Sequence, residues 1–457
     1  MQDRERNYKA AVDLGSTTIV IYLLSLQSGE GYNIEGMQST CNPQIEYGKD
    51  VISRISYIGK DSKRLEEMQK ITIKCCEMLL KRLCDKQKIS PQAISEIVFA
   101  GNPTMCHILL GYLPQPLALS PFTHQYKGSQ ALTGEKLHFE EFADTGIYVI
   151  PSIAEHVGAD TVAAMFATVA KDHGRQLMID IGTNGEIVLE HENKYYACSA
   201  AAGPALEGGE IDLGMIAAEG AVTEVHLKEG EKGYDITWIG KDRQVEPKGI
   251  CGSGIVDAIA VLCEIGIILE NGTLISAEEA RRKGISYGIC KRLITAEGEN
   301  AFVLYIDREQ MLSQAKGFPE QFARYMQDEK NSVVYITQRD IRAVQLAKGA
   351  LYAAMRIMMR VAKLQPQDLE KVYVAGAFGN YVRIDSAIRI GLFPPEWKGK
   401  IIMAGNAAGK GTCEIAVFEE ARKWAEKIPE RIHHIPLAES KIFQEYYLEA
   451  MHFPVPL

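Results

Sequence analysis

The chain has 457 residues, 46% of them apolar and 24% charged, with 40 glycines against 17 prolines, which excludes a disordered or fibrous chain and exceeds what one growing core serves, so two or more lobes are expected. A formal charge of −9 with no Lys/Arg block offers no field for phosphate backbones and argues against nucleic acid as a partner. The ten cysteines form no CxxC pair, and the longest apolar stretch, Ile255 to Leu269, is interrupted by Asp257 and Glu264, so neither a self-contained zinc or iron–sulfur framework nor a membrane span is expected, and the reading is cytoplasmic.

In chain order, Ala10-Ala-Val-Asp-Leu-Gly-Ser-Thr-Thr-Ile-Val-Ile predicts a strand, a tight turn and a second β-branched strand. A strand at Gly31 to Met37, a helix near Ser62 to Lys86, a strand at Glu96 to Ala100 and a short helix after Gly101-Asn102-Pro103 follow. The stretch Leu113 to Tyr148 fits poorly and reads as an insertion. Tyr148 to Pro151 predicts a strand, and Val157 to Val169 a helix crossing to a second lobe. The opening pattern then returns at Leu177-Met-Ile-Asp-Ile-Gly-Thr-Asn-Gly-Glu-Ile-Val-Leu, which points to duplicated lobes. Further strands are expected at Val222 to Val225, Tyr234 to Ile239, Lys371 to Ala375 and Ile401 to Met403, with helices from Gly252 to Ile268, Gln338 to Lys363 and Cys413 to Lys427. The expected division is 1–165, 166–400, and 401–457 returning to the first lobe.

A strand that ends in Asp-x-Gly-Ser/Thr supplies a carboxylate at the strand edge and turn N–H groups able to wrap a phosphate. Asp13 with Gly15, Ser16, Thr17 and Thr18 has this form, and Asp180 with Gly182, Thr183, Asn184, Gly185 and Glu186 repeats it. Two such turns predict an α/β, actin-like (ribonuclease H-like), duplicated two-lobe ATPase fold with Mg-ATP in the cleft between the lobes. Asp13 and Asp180 are the expected Mg²⁺ carboxylates, acting through waters, and Asp13, Asp180, Glu186 and Asp160 the candidate catalytic acids. The adenosine is expected among Gly252, Ser253, Gly376, Ala377, Phe378 and Gly379, where glycines let backbone approach a ring. Lobe rotation is expected near Val157 to Ala164 and Gly405 to Thr412.

Met403-Ala-Gly-Asn-Ala-Ala-Gly-Lys-Gly-Thr412 imitates a Walker loop, but it is one residue short and lacks the hydroxyl after Lys410. It is expected instead to be a close-packing turn. His107 reads as a satisfied buried histidine, and the adjacent His433 and His434 point apart in a strand.

Several longer strings carry a family resemblance: Asn42-Pro-Gln-Ile-Glu-Tyr-Gly-Lys-Asp-Val-Ile-Ser-Arg-Ile55, Ala100-Gly-Asn-Pro-Thr-Met105, Asp180-Ile-Gly-Thr-Asn-Gly-Glu186, Ala201-Ala-Gly-Pro-Ala-Leu-Glu-Gly208, Gly252-Ser-Gly-Ile-Val-Asp-Ala258 and Val374-Ala-Gly-Ala-Phe-Gly379. They resemble the ATPase portion of the reductive activators of corrinoid proteins, in the acetate and sugar kinase, heat-shock chaperone and actin superfamily. The resemblance implies ATP-dependent return of cobalt(II) to cobalt(I) in a corrinoid protein partner, with a separate low-potential electron donor; a homodimer is admitted. It also implies that the loop Ala197 to Gly209 faces the corrinoid, with Ser199 or Cys198 at its tip; a turn packed against the nucleotide is the alternative. The [2Fe–2S] domain usual at the N-terminus of such activators has no counterpart here, so the cluster is expected on another chain or in a part removed. Two other activities remain open: a small-molecule kinase with Asp160 or Glu155 as base, and an activator of 2-hydroxyacyl-CoA dehydratases, for whose bridging cysteine Cys198 is the candidate.

Overall fold

A computed structural model describes residues 7–27, 31–120, 122–126, 128–228, 233–296, 298–308, 331–376, 382–437 and 440–454. The backbone groups into two compact units: Met1–Asp180 with Val188–Ser199 and Asn406–Ile435, and Ile181–Ile187 with Ala200–Gly405 and Pro436–Leu457.

The first unit is built on a six-stranded sheet. Its strands are Tyr8–Leu14 (β1), Thr18–Gln27 (β2), Gly31–Cys41 (β3), Ile94–Gly101 (β4), Gln130–Thr133 (β5) and Gly146–Val149 (β6), in the order β3-β2-β1-β4-β6-β5. β1 is central, and Ala10, Ala11, Val12 and Leu14 are fully buried. It pairs antiparallel with β2 through the short turn read from sequence, and parallel with β4. A parallel pair needs a long crossover. Here Val51–Ile58 (α1) and Ser62–Gln87 (α2) provide it, with Leu65, Met68, Ile73, Leu79, Leu80 and Leu83 of α2 buried at helical spacing. Asp50 and Asp61 cap the two helices by accepting the Ser53 and Lys63 N–H groups. The stretch read as an insertion contributes β5, which closes the sheet edge antiparallel to β6.

Pro103–Leu110 (α3) follows β4, capped by Asn102, and places His107 in full burial. Its Nδ1 bonds Pro103 O (2.7 Å) and its Nε2 accepts from Gln125 N–H (3.2 Å). The ring is therefore a neutral Nδ1–H tautomer whose protonation would set Nε2–H against another donor, and burial draws its pKa down to about 4. A folded pKa below the unfolded value means stability is complete above about pH 6.5 and is lost as pH falls toward 4, by on the order of 3 kcal/mol. Denaturant midpoints of the parent and of His107→Gln, measured from pH 7.5 to 4.5, should diverge below pH 6.5 with the parent losing more; parallel profiles would refute this account.

Ala159–Ala167 (α4) also belongs to the first unit, as do the strands Gln176–Ile181 (β7), most of Gly185–His191 (β8) and Lys194–Ala200 (β9). The second unit carries Ala221–Leu227 (β10), Tyr234–Trp238 (β11) and Gly249–Ile250 (β12), followed by Gly252–Ile265 (α5), Ala277–Arg282 (α6) and Tyr287–Cys290 (α7). Leu293–Ala296 (β13), Glu299–Ile306 (β14) and Val333–Thr337 (β15) form an antiparallel meander. Gln338–Val361 (α8) opens on a capping box between Thr337 and Asp340. Lys371–Ala375 (β16) has the predicted bounds, Ile384–Arg389 (α9) follows, and Ile401–Gly405 (β17) lies parallel to β16.

The helix expected at Cys413 to Lys427 is two helices, Ala407–Val417 (α10) and Glu419–Arg431 (α11), broken at the extended Phe418. The glycines expected in a turn are inside α10. A Cβ on Gly411 would lie 1.8 Å from Ala163 O and one on Gly409 2.8 Å from the Tyr22 ring, so these glycines let α10 press onto α4 and β2. Of the two segments expected to hinge, Val157 to Ala164 lies within the first unit, and Gly405 to Thr412 contains one of the five places where the chain passes between units, 405–406, the others being 180–181, 187–188, 199–200 and 435–436. Ile432–His434 (β18) pairs with β9, and Lys441–Ala450 (α12) ends the described elements.

Nine cysteines are buried and Cys41, the last residue of β3, is exposed. Burial pushes the Cys84 thiol up to about 11 and those of Cys106, Cys263 and Cys413 up to about 12. No described helix is long and apolar enough to cross a membrane.

Candidate active site at the Asp13 turn

β1 turns into β2 through Gly15-Ser16-Thr17. Gly15 N–H donates to Thr18 O (3.1 Å), and a Cβ on Gly15 would lie 2.5 Å from that oxygen, so the turn closes only on glycine. Three successive carbonyls of the turn are held from one side. Asn42 Nδ2 donates to Gly15 O (2.8 Å), Arg54 Nη2 to Ser16 O (2.6 Å) and Asn42 N–H to Thr17 O (2.8 Å). A trans peptide sets each carbonyl opposite the following N–H, so the N–H groups of Ser16, Thr17 and Thr18 point away from that scaffold. Successive N–H groups on one side form a concavity for an anion.

Asn42 and Arg54 are fully buried. Arg54 also donates to Gly48 O (3.0 Å) and Gln44 Oε1 (3.4 Å), and Gln44 is anchored on Thr72 (2.6 Å). Among the described residues no carboxylate is paired with the guanidinium, Asp50 acting on it only through its charge, and burial draws its pKa down to about 10. An anion at the turn would bring the missing negative charge close. The string from Asn42 to Ile55 is therefore the back wall of the turn.

Asp13 stands one residue before the end of β1, and its Oδ2 accepts from Asn406 Nδ2 (2.8 Å). Asn406 is oriented because its Oδ1 caps α10 by accepting the Gly409 N–H (2.7 Å). Burial nonetheless raises the Asp13 carboxyl to about 7, with the Asp160 charge acting in the same direction. Asp160, in the first turn of α4, accepts the Thr161 N–H (2.7 Å) and is raised by burial to about 6. The two acids sense each other's charge and titrate as a pair. They are brought together by small residues: a Cβ on Gly101 would lie 2.8 Å from Leu14 O, and one on Gly158 2.7 Å from Gly101 O. Glu155 lies apart, in the tight turn closed by Val157 N–H on Ala154 O.

The repeated turn after β7 is closed by Gly182 N–H on Asn184 O (3.1 Å). Its support differs: Thr183 Oγ1 donates to Glu207 Oε2 (3.1 Å), with the Glu207 pKa raised by burial. Gly185 is required because a Cβ would lie 2.0 Å from the Leu351 side chain. Asp180 and Glu186 are half-buried on the flanking strands. The loop Ala201 to Gly209 thus touches this second turn through Glu207. Cys198 is a fully buried residue of β9, so its thiol is at no loop tip and offers no bridging ligand; Ser199 is half-buried.

Gly252 and Ser253 are buried at the start of α5, where a Cβ on Gly252 would lie 1.8 Å from Leu206 O and the Ser253 hydroxyl donates to Thr223 O (3.0 Å). Gly376 follows β16 with φ +90° and donates to Gly405 O (3.1 Å), while Ala377, Phe378 and Gly379 lie outside the described residues. Sequence reasoning gave no role to Asn42, Arg54 or Asn406. The available signals were an Asn before Pro, a lone Arg in the apolar run Val51–Ile58, and an Asn capping a Gly-rich helix.

Among the described residues no three His, Cys, Asp or Glu side chains converge on a metal position. Mg²⁺ asks for less: it keeps most of its water and takes one or two carboxylates with substrate phosphates. A strand-end carboxylate beside an N–H concavity, as at Asp13, fits that requirement.

The family described as "RACo middle region" matches residues 8–172, and that described as "C-terminal domain of RACo the ASKHA domain" matches 175–317 and 285–456. The chain belongs to the RACo family. The Asp13 turn lies in the RACo middle region and the Asp180 turn in the ASKHA domain. The "Corrinoid activation enzyme RamQ" of Eubacterium limosum is 34% identical over 449 residues, covering 96% of this chain and 69% of RamQ. The "[Co(II) methylated amine-specific corrinoid protein] reductase" of Methanosarcina barkeri is 29% identical over 331 residues, 66% of this chain and 50% of that protein. A solved "Reductive activator for corrinoid,iron-sulfur protein" superposes with a TM-score of 0.81 at 28% identity, over 100% of this chain and 67% of that one. The chain thus spans half to two thirds of the length of these relatives. Its fold is the actin-like, two-lobe α/β architecture of the ASKHA proteins, as the duplicated hairpins predicted.

Proposed function

We propose that the chain is the ATPase portion of a reductive activator that uses ATP binding and hydrolysis to help return a corrinoid protein from cobalt(II) to cobalt(I). The observation that carries this is the Asp13 turn, with three carbonyls held by Asn42 and Arg54, in a chain 34% identical to a corrinoid activation enzyme. The N–H groups of Ser16, Thr17 and Thr18 would receive phosphate oxygens and Asp13 would hold hydrated Mg²⁺, which would supply neutralisation of charge on the transferred phosphoryl group; Asp180, Thr183 and Asn184 offer the same chemistry in the second turn. Cobalt is the substrate, and the electron comes from a separate low-potential donor. ATP helps only to the extent that the nucleotide-bound state holds the partner in a form that favours cobalt(I).

A kinase reading is favoured by one observation, the Asp160 carboxyl raised to about 6 beside Asp13, a value suited to taking a proton from a substrate hydroxyl. One experiment separates the two. The full chain is mixed with a purified cobalt(II) corrinoid protein, Mg-ATP and a strong reductant, and the cobalt(I) absorbance is followed; in parallel, ATP turnover is measured with sugars and short acids. ATP-dependent appearance of cobalt(I), absent with ADP, is expected. Phosphorylation of a panel compound without any effect of the corrinoid protein would replace this reading with the kinase.

A further inference from the structure

The second unit contains a cavity of about 710 Å³ between α8, α9, the chain after α9 and the segment that follows α12. Its wall is largely apolar, with Tyr352, Ile388, Phe393, Pro394, Phe453 and Pro454. The volume is in the range of cavities that enclose small organic ligands. Two cations line it. Lys348 is 1% exposed, and its Nζ donates to His452 O and lies 5.2 Å from the Phe453 ring centre. His452 O is its hydrogen-bond partner among the described residues, although an ammonium has three donors. Arg389 donates from Nη1 to Pro454 O (2.6 Å), but its Nη2 is buried without a partner among the described residues.

The carboxylates of the lining do not supply the missing acceptors. Glu264 and Glu270 are exposed, and Glu449 accepts from Arg356 (2.5 Å). Burial draws the Lys348 pKa down to about 8, the mark of a cation that has lost water and gained little in exchange. A desolvated ammonium and an unpartnered guanidinium nitrogen in an apolar cavity are stabilised by a ligand that brings an anion and hydrocarbon together.

From this cavity and its two under-bonded cations we propose that the second unit binds a small carboxylate with an apolar body, its carboxylate on Lys348 and Arg389 and its hydrocarbon against Phe393 and Phe453. The site stands on residues separate from the Asp13 turn, so it holds or falls independently of the corrinoid reading.

The test is calorimetric titration of the full chain with octanoate, with acetate and octanol as comparisons. Octanoate is expected to bind below about 1 mM, and acetate and octanol at least about tenfold more weakly. Arg389→Met, at a half-buried position, should weaken octanoate about tenfold and leave octanol unchanged. Lys348→Met should do the same if its melting curve shows it folded, and Arg389→Met decides the matter if it does not. Absence of binding at about 5 mM octanoate, equal affinities for octanoate and octanol, or unchanged binding by Arg389→Met would each overturn the proposal.

Discussion

Asp13→Asn is expected to lower ATP turnover by about a hundredfold or more, because it removes a Mg²⁺ carboxylate while leaving the local structure in place. The structure is preserved because Asn406 is fixed by its bond to Gly409 N–H and presents Nδ2, for which the new amide oxygen is still an acceptor. The same variant should be more stable than the parent above pH 7. The Asp13 carboxyl is raised to about 7 in the folded chain from 3.8. Its ionised form therefore disfavours folding, a penalty that grows from the unfolded value upward and is complete above the folded one. Turnover with Mg-ATP and melting at pH 8 check the two halves. Parental turnover would show that Asp13 is not at the reacting phosphate, and a lower melting point would show that its burial penalty is misjudged. Asp180→Asn should lose turnover similarly if the two turns act as equivalents.

Arg54→Met is the second large change. It leaves Ser16 O and Gly48 O without their buried donors, and each orphaned carbonyl costs about 1–3 kcal/mol. A destabilisation on the order of 3 kcal/mol is expected, together with an ATP affinity lowered about tenfold or more, because the turn loses the contact that holds its middle carbonyl. Arg54→Lys keeps the charge but not the fork that reaches Ser16 and Gly48 together, so it should recover part of the stability and less of the affinity. Urea midpoints and nucleotide titrations on both variants separate these effects. A Met variant with the parental midpoint and affinity would remove Arg54 from the back wall of the site.

The sheet, the duplicated hairpins and the strand-end acids were legible because they are local. An apolar β-branched run, a glycine and a following hydroxyl pair fix a strand-turn-strand unit within about a dozen residues. Helices such as α2 and α8 were legible for the same reason, since their buried positions recur at helical spacing. What lies behind the turn was not. Asn42, Arg54 and Asn406 reach Asp13 and its turn from positions 25 to 393 residues away from their partners, and no periodicity records such a meeting. Glycines misled in the opposite direction. Gly409 and Gly411 look like a flexible turn, yet they are helical because backbone and a ring from β2 and α4 need the space. Gly252, read as a ligand-approach glycine, also packs its Cα against the Leu206 carbonyl. Cys198 was assigned to a loop tip through resemblance alone and lies in β9.

The uneven placement of the thiols has a practical consequence. Nine are buried, several with pKa values that leave almost no thiolate at neutral pH. Cys41 is exposed, and the next residue, Asn42, holds two carbonyls of the phosphate turn. A maleimide fluorophore added to the native chain therefore attaches at one place, without mutagenesis, one residue from the scaffold of the nucleotide turn. The protein carries its own attachment point for an optical reporter of nucleotide arrival, usable under the same anaerobic conditions in which cobalt spectra are recorded.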